Sequence, residues 1–363
     1  MLVTSREVYR VVSAVALLAI GCQAPQTAPI EPSGGKSPGG AGNTPDATTV
    51  AETGTTSTTP TLVSGIFSPQ AIAVGASSVY WTTSRAALKL GEVGDATAGT
   101  GAVESVASTG GSITDVVVGL TSPVALAVSG TTLFFGQGSG SSGVLDAYTL
   151  GSIAVDTVAS AQSAPLAMVL DESVLYWATG SGTQFAADSV IASATPEGSV
   201  KPLSSAMAAY VPVAVAVIGA SVYVLATAGG TAYLLSVPAV DGPPTELWHE
   251  ASVTPVDLGG AGESLYWTLA NTSANGGELL SMSILGGTPV TLADEIANAA
   301  KIAISAPNVY FTSNVAGGSV LSVSTGGGAV STLASGLDYP YPIAVGSGSL
   351  YVGTASAIVV VPQ

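Results

Sequence analysis

The stretch from Pro69 to Thr82, PQAIAVGASSVYWT, contains the two elements that decide the fold. A proline opens a short apolar run, small residues follow, and a hydrophobic residue then precedes an aromatic one. Proline is tolerated at the first position of a strand, because its missing N–H group lies before the hydrogen-bond ladder. The pattern therefore predicts two short strands joined by a tight turn.

The hydrophobic-aromatic step recurs along the chain at intervals of 41 to 54 residues. Its seven copies are Val79-Tyr80, Leu133-Phe134, Leu175-Tyr176, Val222-Tyr223, Leu265-Tyr266, Val309-Tyr310 and Leu350-Tyr351. A period of this length fits one four-stranded sheet per repeat, which is typical of a β-propeller. Consecutive apolar positions in these steps indicate strands that are buried on both faces. The sequence therefore predicts an all-β, seven-bladed propeller.

The seventh repeat is short, since only Ala357–Pro362 follows its aromatic step as a further strand. The missing fourth strand is found at the other end of the repeats. There Thr59–Gly65 (TPTLVSG) matches Val330–Gly336 (VSTLASG), the fourth-strand segment of the sixth repeat. We expect Thr61–Val63 to pair with the last strand, so that the ring closes without an exposed strand edge. The propeller domain is thus predicted to span residues 59–363.

Residues 1–22 have the features of a bacterial export signal. Arg6 and Arg10 precede Val11–Ile20, an apolar run that is too short to span a bilayer but suits the core of a signal peptide. The run leads to Cys22, the only cysteine of the chain. This arrangement resembles a bacterial lipobox, in which the cysteine is lipidated. The alternative is a plain secretory signal that contains a chance cysteine.

The segment 23–58 is of low complexity and consists mainly of Pro, Gly, Thr, Ser and Ala. Such a composition does not supply enough apolar surface to bury a core, so the segment is expected to be a disordered tether. Gln23 follows the cysteine, where an aspartate typically retains lipoproteins at an inner membrane. The expected location is the bacterial cell envelope, with the outer membrane or the cell surface favoured.

The repeats as a whole resemble those of secreted bacterial seven-bladed β-propeller lipoproteins of uncharacterised function. Ile72–Val74, Tyr80–Thr82, Tyr266–Thr268 and Leu285–Ala293 carry this likeness. A weaker likeness links the Tyr-Trp-Thr steps to the six-bladed propellers of receptor ectodomains, whose following aspartate is missing here. The resemblance implies the fold and an extracytoplasmic location, and it implies no activity.

The charge composition limits the function classes. Charged residues make up only 8% of the chain, and 23 acidic residues outnumber 7 basic ones. Nucleic-acid binding needs a clustered basic footprint and is not expected. His249 is the only histidine of the chain, and it lies in a segment predicted to be an outer strand, so histidine-based catalysis in the channel is not expected. With one histidine and one cysteine, the chain also lacks the ligands for a thiolate or imidazole metal site. A calcium or magnesium site made of carboxylates alone stays open, but the acidic residues are scattered, and we predict neither metal nor cofactor.

Two pairs of residues are candidate ligand contacts. When the repeats are aligned on the first strand, the position before Ile72 is alanine in four of the seven and charged in the fifth and sixth. The aligned residues are Ala71, Ala125, Ala167, Ala214, Asp257, Lys301 and Pro342. Asp257 and Lys301 are predicted to lie within about 4 Å of each other, either as an ion pair between blades or as a polar spot that grips a ligand in the channel. Tyr339 and Tyr341 precede a first strand, in the kind of loop that gathers around one mouth of a propeller.

These observations predict a monomeric, lipid-anchored binding or interaction scaffold without catalysis. Its partner would be a protein or a glycan, and the lipidated Cys22 would be its only link to a membrane. The alternative is an enzyme, either a metal-dependent lactonase or another carbohydrate-active propeller. A ring of carboxylates in the channel would favour the enzyme, whereas an alanine-lined channel would favour the scaffold. A structural envelope lipoprotein without a discrete ligand is the third possibility.

Overall fold

The structure, a computed structural model, describes most of the predicted propeller domain. The described residues are 59–84, 101–138, 142–162, 165–172, 174–179, 191–194, 200–204, 207, 209–219, 221–237, 243–272 and 276–363, without the side chains of 84, 166, 191–194, 201–202, 204 and 271–272. The predicted export signal with Cys22 and the predicted tether 23–58 lie outside these residues.

The described elements are 28 β-strands, which form seven four-stranded antiparallel sheets. Sheet 1 contains β2 (Ile72–Val74), β3 (Ser78–Ser84), β4 (Gly101–Ala107) and β5 (Thr114–Leu120), and sheet 2 contains β6 (Ala125–Ser129), β7 (Thr132–Gln137), β8 (Gly143–Thr149) and β9 (Asp156–Gln162). Sheet 3 contains β10 (Pro165–Asp171), β11 (Val174–Thr179), β12 (Ile191–Ala194) and β13 (Lys201–Ser204), and sheet 4 contains β14 (Val211–Ile218), β15 (Ser221–Ala228), β16 (Thr231–Val237) and β17 (Thr245–Ala251). Sheet 5 contains β18 (Thr254–Ala261), β19 (Ser264–Thr272), β20 (Gly276–Ser283) and β21 (Val290–Ile296), and sheet 6 contains β22 (Ala299–Ser305), β23 (Asn308–Ser313), β24 (Gly318–Ser324) and β25 (Ser331–Leu337). The closing sheet contains β26 (Ile343–Gly346), β27 (Ser349–Gly353), β28 (Ala357–Pro362) and β1 (Thr61–Ser64).

The sheets are arranged as a β-propeller. The first strand of each sheet contacts the first strand of the next one, from β2 through β6, β10, β14, β18 and β22 to β26, which contacts β2 again. The innermost strands therefore surround a common channel. Within the part of the chain that is described, no helix is long and apolar enough to cross a membrane.

Six of the sheets come from contiguous segments, whereas the closing sheet joins strands from the two ends of the domain. Thr61 pairs with Val359, Val63 with Ile358 and Ser64 with Ala357, with a bulge between Thr61 and Val63. The predicted pairing of Thr61–Val63 with the last strand is confirmed.

The start of β25 differs from the position that the sequence pattern predicts. The turn after β24 contains Gly327 and Gly328, both with positive φ values of 86° and 120°. This wide turn leaves Ala329 and Val330 unpaired, so β25 begins at Ser331 rather than at Val330, the first residue of the predicted fourth-strand segment. Glycine is required there because side chains rarely adopt such backbone angles.

The repeated aromatic residues form the core between the sheets, as their consecutive apolar pattern predicts. Trp81, Trp177, Trp267, Phe134, Phe135 and Phe311 are among the largest fully buried side chains. Trp267 of sheet 5 packs with Trp248 of sheet 4, at a ring separation of 5.2 Å. Burial of each such side chain stabilises the fold by about 1.5–3 kcal/mol, so the interfaces between sheets supply much of the stability.

Candidate binding site in the channel

A cavity of about 250 Å³ lies where the innermost strands meet. All seven positions that the sequence alignment had grouped line this one cavity: Ala71, Ala125, Ala167, Ala214, Asp257, Lys301 and Pro342. The alignment of the repeats is therefore correct at the level of single residues. Asp257 and Lys301 face each other there in a wall made largely of small residues.

Asp257 and Lys301 form the predicted ion pair. The Lys301 Nζ atom donates a hydrogen bond to Asp257 Oδ1 at 3.3 Å, and the backbone N–H of Ile302 donates to Asp257 Oδ2 at 2.9 Å. A bulge between Pro255 and Asp257 shifts the register of β18 just before the carboxylate, and bulges re-aim side chains in this way. The carboxylate thus joins sheet 5 to both the side chain and the backbone of sheet 6.

The ammonium group of Lys301 is paired with Asp257 but remains partly accessible to solvent. Burial lowers the pKa of Lys301, but the charge of Asp257, the nearby Tyr341 and the hydrogen bond to Asp257 outweigh burial, so that the pKa is raised above its usual value of 10.5. The Lys301 side chain retains 26% of its exposure and that of Asp257 retains 18%. Lys301 is therefore a cation at neutral pH that a ligand in the channel can reach.

The two tyrosines occupy different places. The Lys301 Nζ atom lies 5.5 Å from the centre of the Tyr341 ring, within the range of a cation–π interaction. Tyr341 also ties the closing sheet to sheet 6, because its carbonyl oxygen accepts a hydrogen bond from the Thr312 hydroxyl at 3.2 Å. Tyr339 is 45% exposed and adopts a positive φ of 49° just before β26. The structure thus brings Tyr341 to the Asp257–Lys301 pair. Tyr339, two residues earlier in the chain, is exposed.

Gln70 is a channel residue that the sequence reasoning missed. It lines the cavity one position before Ala71, where most other repeats carry an apolar residue. The equivalent position in the seventh repeat is Tyr341. A comparison of this second aligned position would have found both residues as polar exceptions.

The polar residues therefore occupy one continuous side of the channel, which we call the polar arc. It is formed by Gln70, Asp257 and Lys301, which line the cavity from sheets 1, 5 and 6, together with the Tyr341 ring beside Lys301. Sheets 2, 3 and 4 form the opposite side, the apolar arc, whose lining residues are Val124, Ala125, Leu126, Ala167, Met168, Val169, Ala214 and Val215.

Two buried carboxylates in the sheets were also missed. Glu104 on β4 accepts a hydrogen bond from the Trp81 indole N–H at 2.8 Å. Asp146 on β8 accepts from the Gln137 amide at 2.6 Å and from the Thr157 hydroxyl at 3.0 Å. Both lie away from the channel cavity and hold neighbouring strands together.

The remaining polar candidates lie outside the channel. The side chain of His249 is 59% exposed on β17, and its Nδ1 atom lies 2.7 Å from Glu246 Oε1, which confirms its predicted place on an outer strand. Among the described residues, no three histidine, cysteine, aspartate or glutamate side chains come together as a metal site.

No protein-family model matches the chain, and no curated protein matches it. Among solved structures, the chain is similar to the virginiamycin B lyase from Staphylococcus aureus, with a TM-score of 0.56 and 13% identity over 81% of this chain and 94% of that one. It is also similar to the β-propeller domain of the Trilobed protease from Pyrococcus furiosus, with a TM-score of 0.56 and 11% identity over 81% and 94% of the two chains. The computationally designed Ika8 protein gives a TM-score of 0.54 at 16% identity, covering 84% of this chain and 100% of that one. At these identities the similarity shows the propeller fold alone.

Proposed function

We propose that this protein is a lipid-anchored binding scaffold of the bacterial cell envelope, exported and without a catalytic role. The observation that carries the proposal is the division of the channel into a polar arc and an apolar arc. A rigid ring that presents both kinds of surface at one small cavity can orient a single inserted group of a partner, such as a side chain or a sugar ring. The partner class is a protein or a glycan.

The chemistry of the polar arc supports recognition. Lys301 has three N–H donors, and its hydrogen bond to Asp257 uses one of them. The Tyr341 ring offers a flat apolar surface close to this cation, and the Gln70 amide offers both a donor and an acceptor. These groups suit a ligand with an acceptor oxygen next to an apolar face, and the exposed Tyr339 extends the surface beyond the cavity.

The enzyme alternative has less support from the channel. A lactonase-like site needs several oxygen ligands around one divalent ion. Among the described residues the cavity lining contains one carboxylate, Asp257, and this group already binds Lys301 and the Ile302 amide. The lyase and protease among the solved structures share only the fold with this chain, and fold does not imply activity.

A binding experiment with matched variants tests the scaffold. The purified protein would be presented to a glycan array and to a panel of purified envelope and host-surface proteins, beside Lys301→Met and Tyr341→Ala. His249→Ala, on an exposed outer strand, serves as the control. We expect one ligand class whose binding is lost in the two channel variants and kept in the control. Hydrolysis of a lactone panel that depends on Ca²⁺ and on Asp257 would overturn the proposal in favour of the enzyme.

The lipid anchor has its own test. Labelling of cells with a radioactive fatty acid should mark the wild type and leave Cys22→Ala unmarked, since Cys22 is the only cysteine of the chain. Equal labelling of both proteins would refute the anchor, and it would leave the channel proposal standing.

We further infer that the seven sheets are the seven blades of one ring that β1 closes. The cyclic contacts of the innermost strands and the β1–β28 ladder support this inference. A chain that begins at Ile66 lacks β1 and exposes the edge of β28, so it should melt earlier or aggregate. A melting temperature equal to that of the parent chain would contradict the closure.

A further inference from the structure

The turns between the third and fourth strands carry exposed aliphatic residues in most sheets. These are Ile113 of sheet 1, Ile153 and Val155 of sheet 2, Val200 of sheet 3, Leu285 of sheet 5 with Val290 at the adjoining start of β21, and Val330 of sheet 6. Ile153 is fully exposed and Leu285 is 89% exposed. Large aliphatic side chains at the tips of successive turns mark an interaction surface rather than isolated surface residues.

These turns all lie on one face of the propeller, which we call the hairpin face. A Cβ atom on Gly110 of the sheet 1 turn would lie 3.4 Å from the Leu62 carbonyl oxygen, near the start of β1. The turns of sheets 5 and 6 lie in the same way against Leu247 and Leu292, near the starts of β17 and β21. These three turns therefore pack beside the beginning of the fourth strand of the preceding sheet. The antiparallel strand order places the third-to-fourth-strand turns of the other sheets on the same face.

Four turns of the hairpin face are free of charge. The turns 108–113, 150–155, 284–289 and 325–330 contain no Asp, Glu, Lys or Arg, although the whole chain has a net charge of −16. The sequence places Glu197 and Asp241 in the corresponding turns of sheets 3 and 4, and Glu172 and Glu263 in turns between first and second strands. The face thus combines protruding aliphatic tips with a few acidic groups.

The chain reaches the propeller at this same face. β1 is the fourth strand of the closing sheet, so its start lies where the other fourth strands start, beside the sheet 1 turn. Residue 59 therefore joins the preceding segment, which leads back to Cys22, at the hairpin face. The opposite face carries Phe67, which is 54% exposed in the connection from β1 to β2.

We propose that the hairpin face rests on a lipid bilayer, with its aliphatic tips inserted among the headgroups. This proposal rests on the lipid anchor proposed for Cys22, which would keep the propeller near the membrane, whereas the aliphatic tips would orient it. The tips are spread around a circle, whereas protein interfaces concentrate their binding energy in a central cluster. Separate apolar tips on a common level suit a planar apolar medium, in which binding grows with the apolar area that is buried. The channel mouth that bears Tyr339 then faces away from the bilayer.

The test uses the acylated mature protein with single reporters. Leu285→Cys and Ile153→Cys on the hairpin face, and Phe67→Cys on the opposite face, would each carry an environment-sensitive dye, because the thiol of Cys22 is consumed by acylation. The proteins would be reconstituted in phosphatidylcholine vesicles that contain brominated lipids. We expect roughly twofold or stronger quenching of the dyes at 285 and 153 and no quenching at 67. Addition of phosphatidylglycerol should weaken the quenching, because the acidic turns repel an anionic surface.

The outcomes separate this proposal from the anchor. Equal quenching at the three positions, or quenching at 67 alone, overturns the proposed orientation. Mass spectrometry of Cys22 reports acylation independently. If Cys22 proves unmodified, the same dyes on proteins that also carry Cys22→Ser decide the matter, and absence of quenching at 285 and 153 in that form overturns the proposal. The proposal is also overturned if self-association of the protein in solution already shields the dyes from water and if vesicles do not change the dye emission.

Discussion

Sheets 1 and 2 hold their carboxylates inside the sheet, whereas sheet 5 holds its carboxylate at the channel. Glu104 and Asp146 are only 3% and 4% exposed, and the hydrogen bonds that they accept include those from Trp81, Gln137 and Thr157. Asp257 is paired with a cation and keeps part of its exposure. The same repeat thus accommodates a carboxylate either buried within a sheet or on the innermost strand at the channel. In the first position it holds strands together, and in the second it is also accessible to a ligand.

The largest expected effect comes from removing the channel carboxylate. Asp257→Ala leaves the Lys301 ammonium without its counter-charge and the Ile302 N–H without its acceptor. We expect a loss of about 2–3 kcal/mol in the free energy of unfolding, less than for a fully buried pair because water reaches the channel. Urea unfolding measures it, with Ala125→Gly as a control at the aligned position of sheet 2. A loss no greater than in that control would contradict the role given to Asp257.

The next effect concerns the carboxylate inside sheet 1. Glu104→Leu reproduces the arrangement of sheet 5, where Leu280 lies opposite Trp267 and the Trp267 N–H has no hydrogen-bond partner among the described residues. We expect a loss of about 2 kcal/mol, because the Trp81 N–H would become a buried donor without an acceptor. Glu104→Gln keeps an oxygen acceptor and should lose much less. If both variants melt at the same temperature, the indole hydrogen bond does not matter.

A smaller effect is expected for the cation of the channel. Lys301→Ala leaves Asp257 partly exposed and still bound to the Ile302 N–H, so we expect a loss of about 1 kcal/mol. The double variant Asp257→Ala/Lys301→Ala restores the pattern of the alanine-lined sheets and should cost less than the sum of the single variants. Additive losses in this double-mutant cycle would show that the two side chains are not coupled.

The smallest effect is a dependence of stability on alkaline pH. The pKa of Lys301 is raised in the folded state, so its contribution is complete below the pKa of the unfolded chain and is lost as the pH rises through the folded pKa. As the pH rises above about 10.5, the wild type should lose more stability than the double variant, by less than about 1 kcal/mol because the side chain is partly exposed. Identical pH profiles of stability for the wild type and the double variant would show that the ion pair does not cause the alkaline loss.

The features that recur with the repeat could be predicted from the sequence. The closure by β1 and the pairing of Asp257 with Lys301 both follow from aligning equivalent positions, because each repeat places them at the same level. The partnership of Glu104 with Trp81 does not follow, because the connection between second and third strands differs widely in length, from Ser84–Gly101 in sheet 1 to Ala228–Thr231 in sheet 4. The bulges at the starts of the inner strands, as between Pro255 and Asp257, likewise have no spacing signal.

The composite closing sheet makes folding depend on synthesis of the whole domain. β1 is the first described strand that a ribosome would make and β28 is the last, yet they are neighbours in one sheet. Contacts between such distant segments form late, because the entropy of closing the long loop must be overcome first. A chain released before Ala357 leaves β1 without its partner and offers an unpaired edge to other chains and to proteases. The closing sheet can therefore form only when the whole domain has been synthesised.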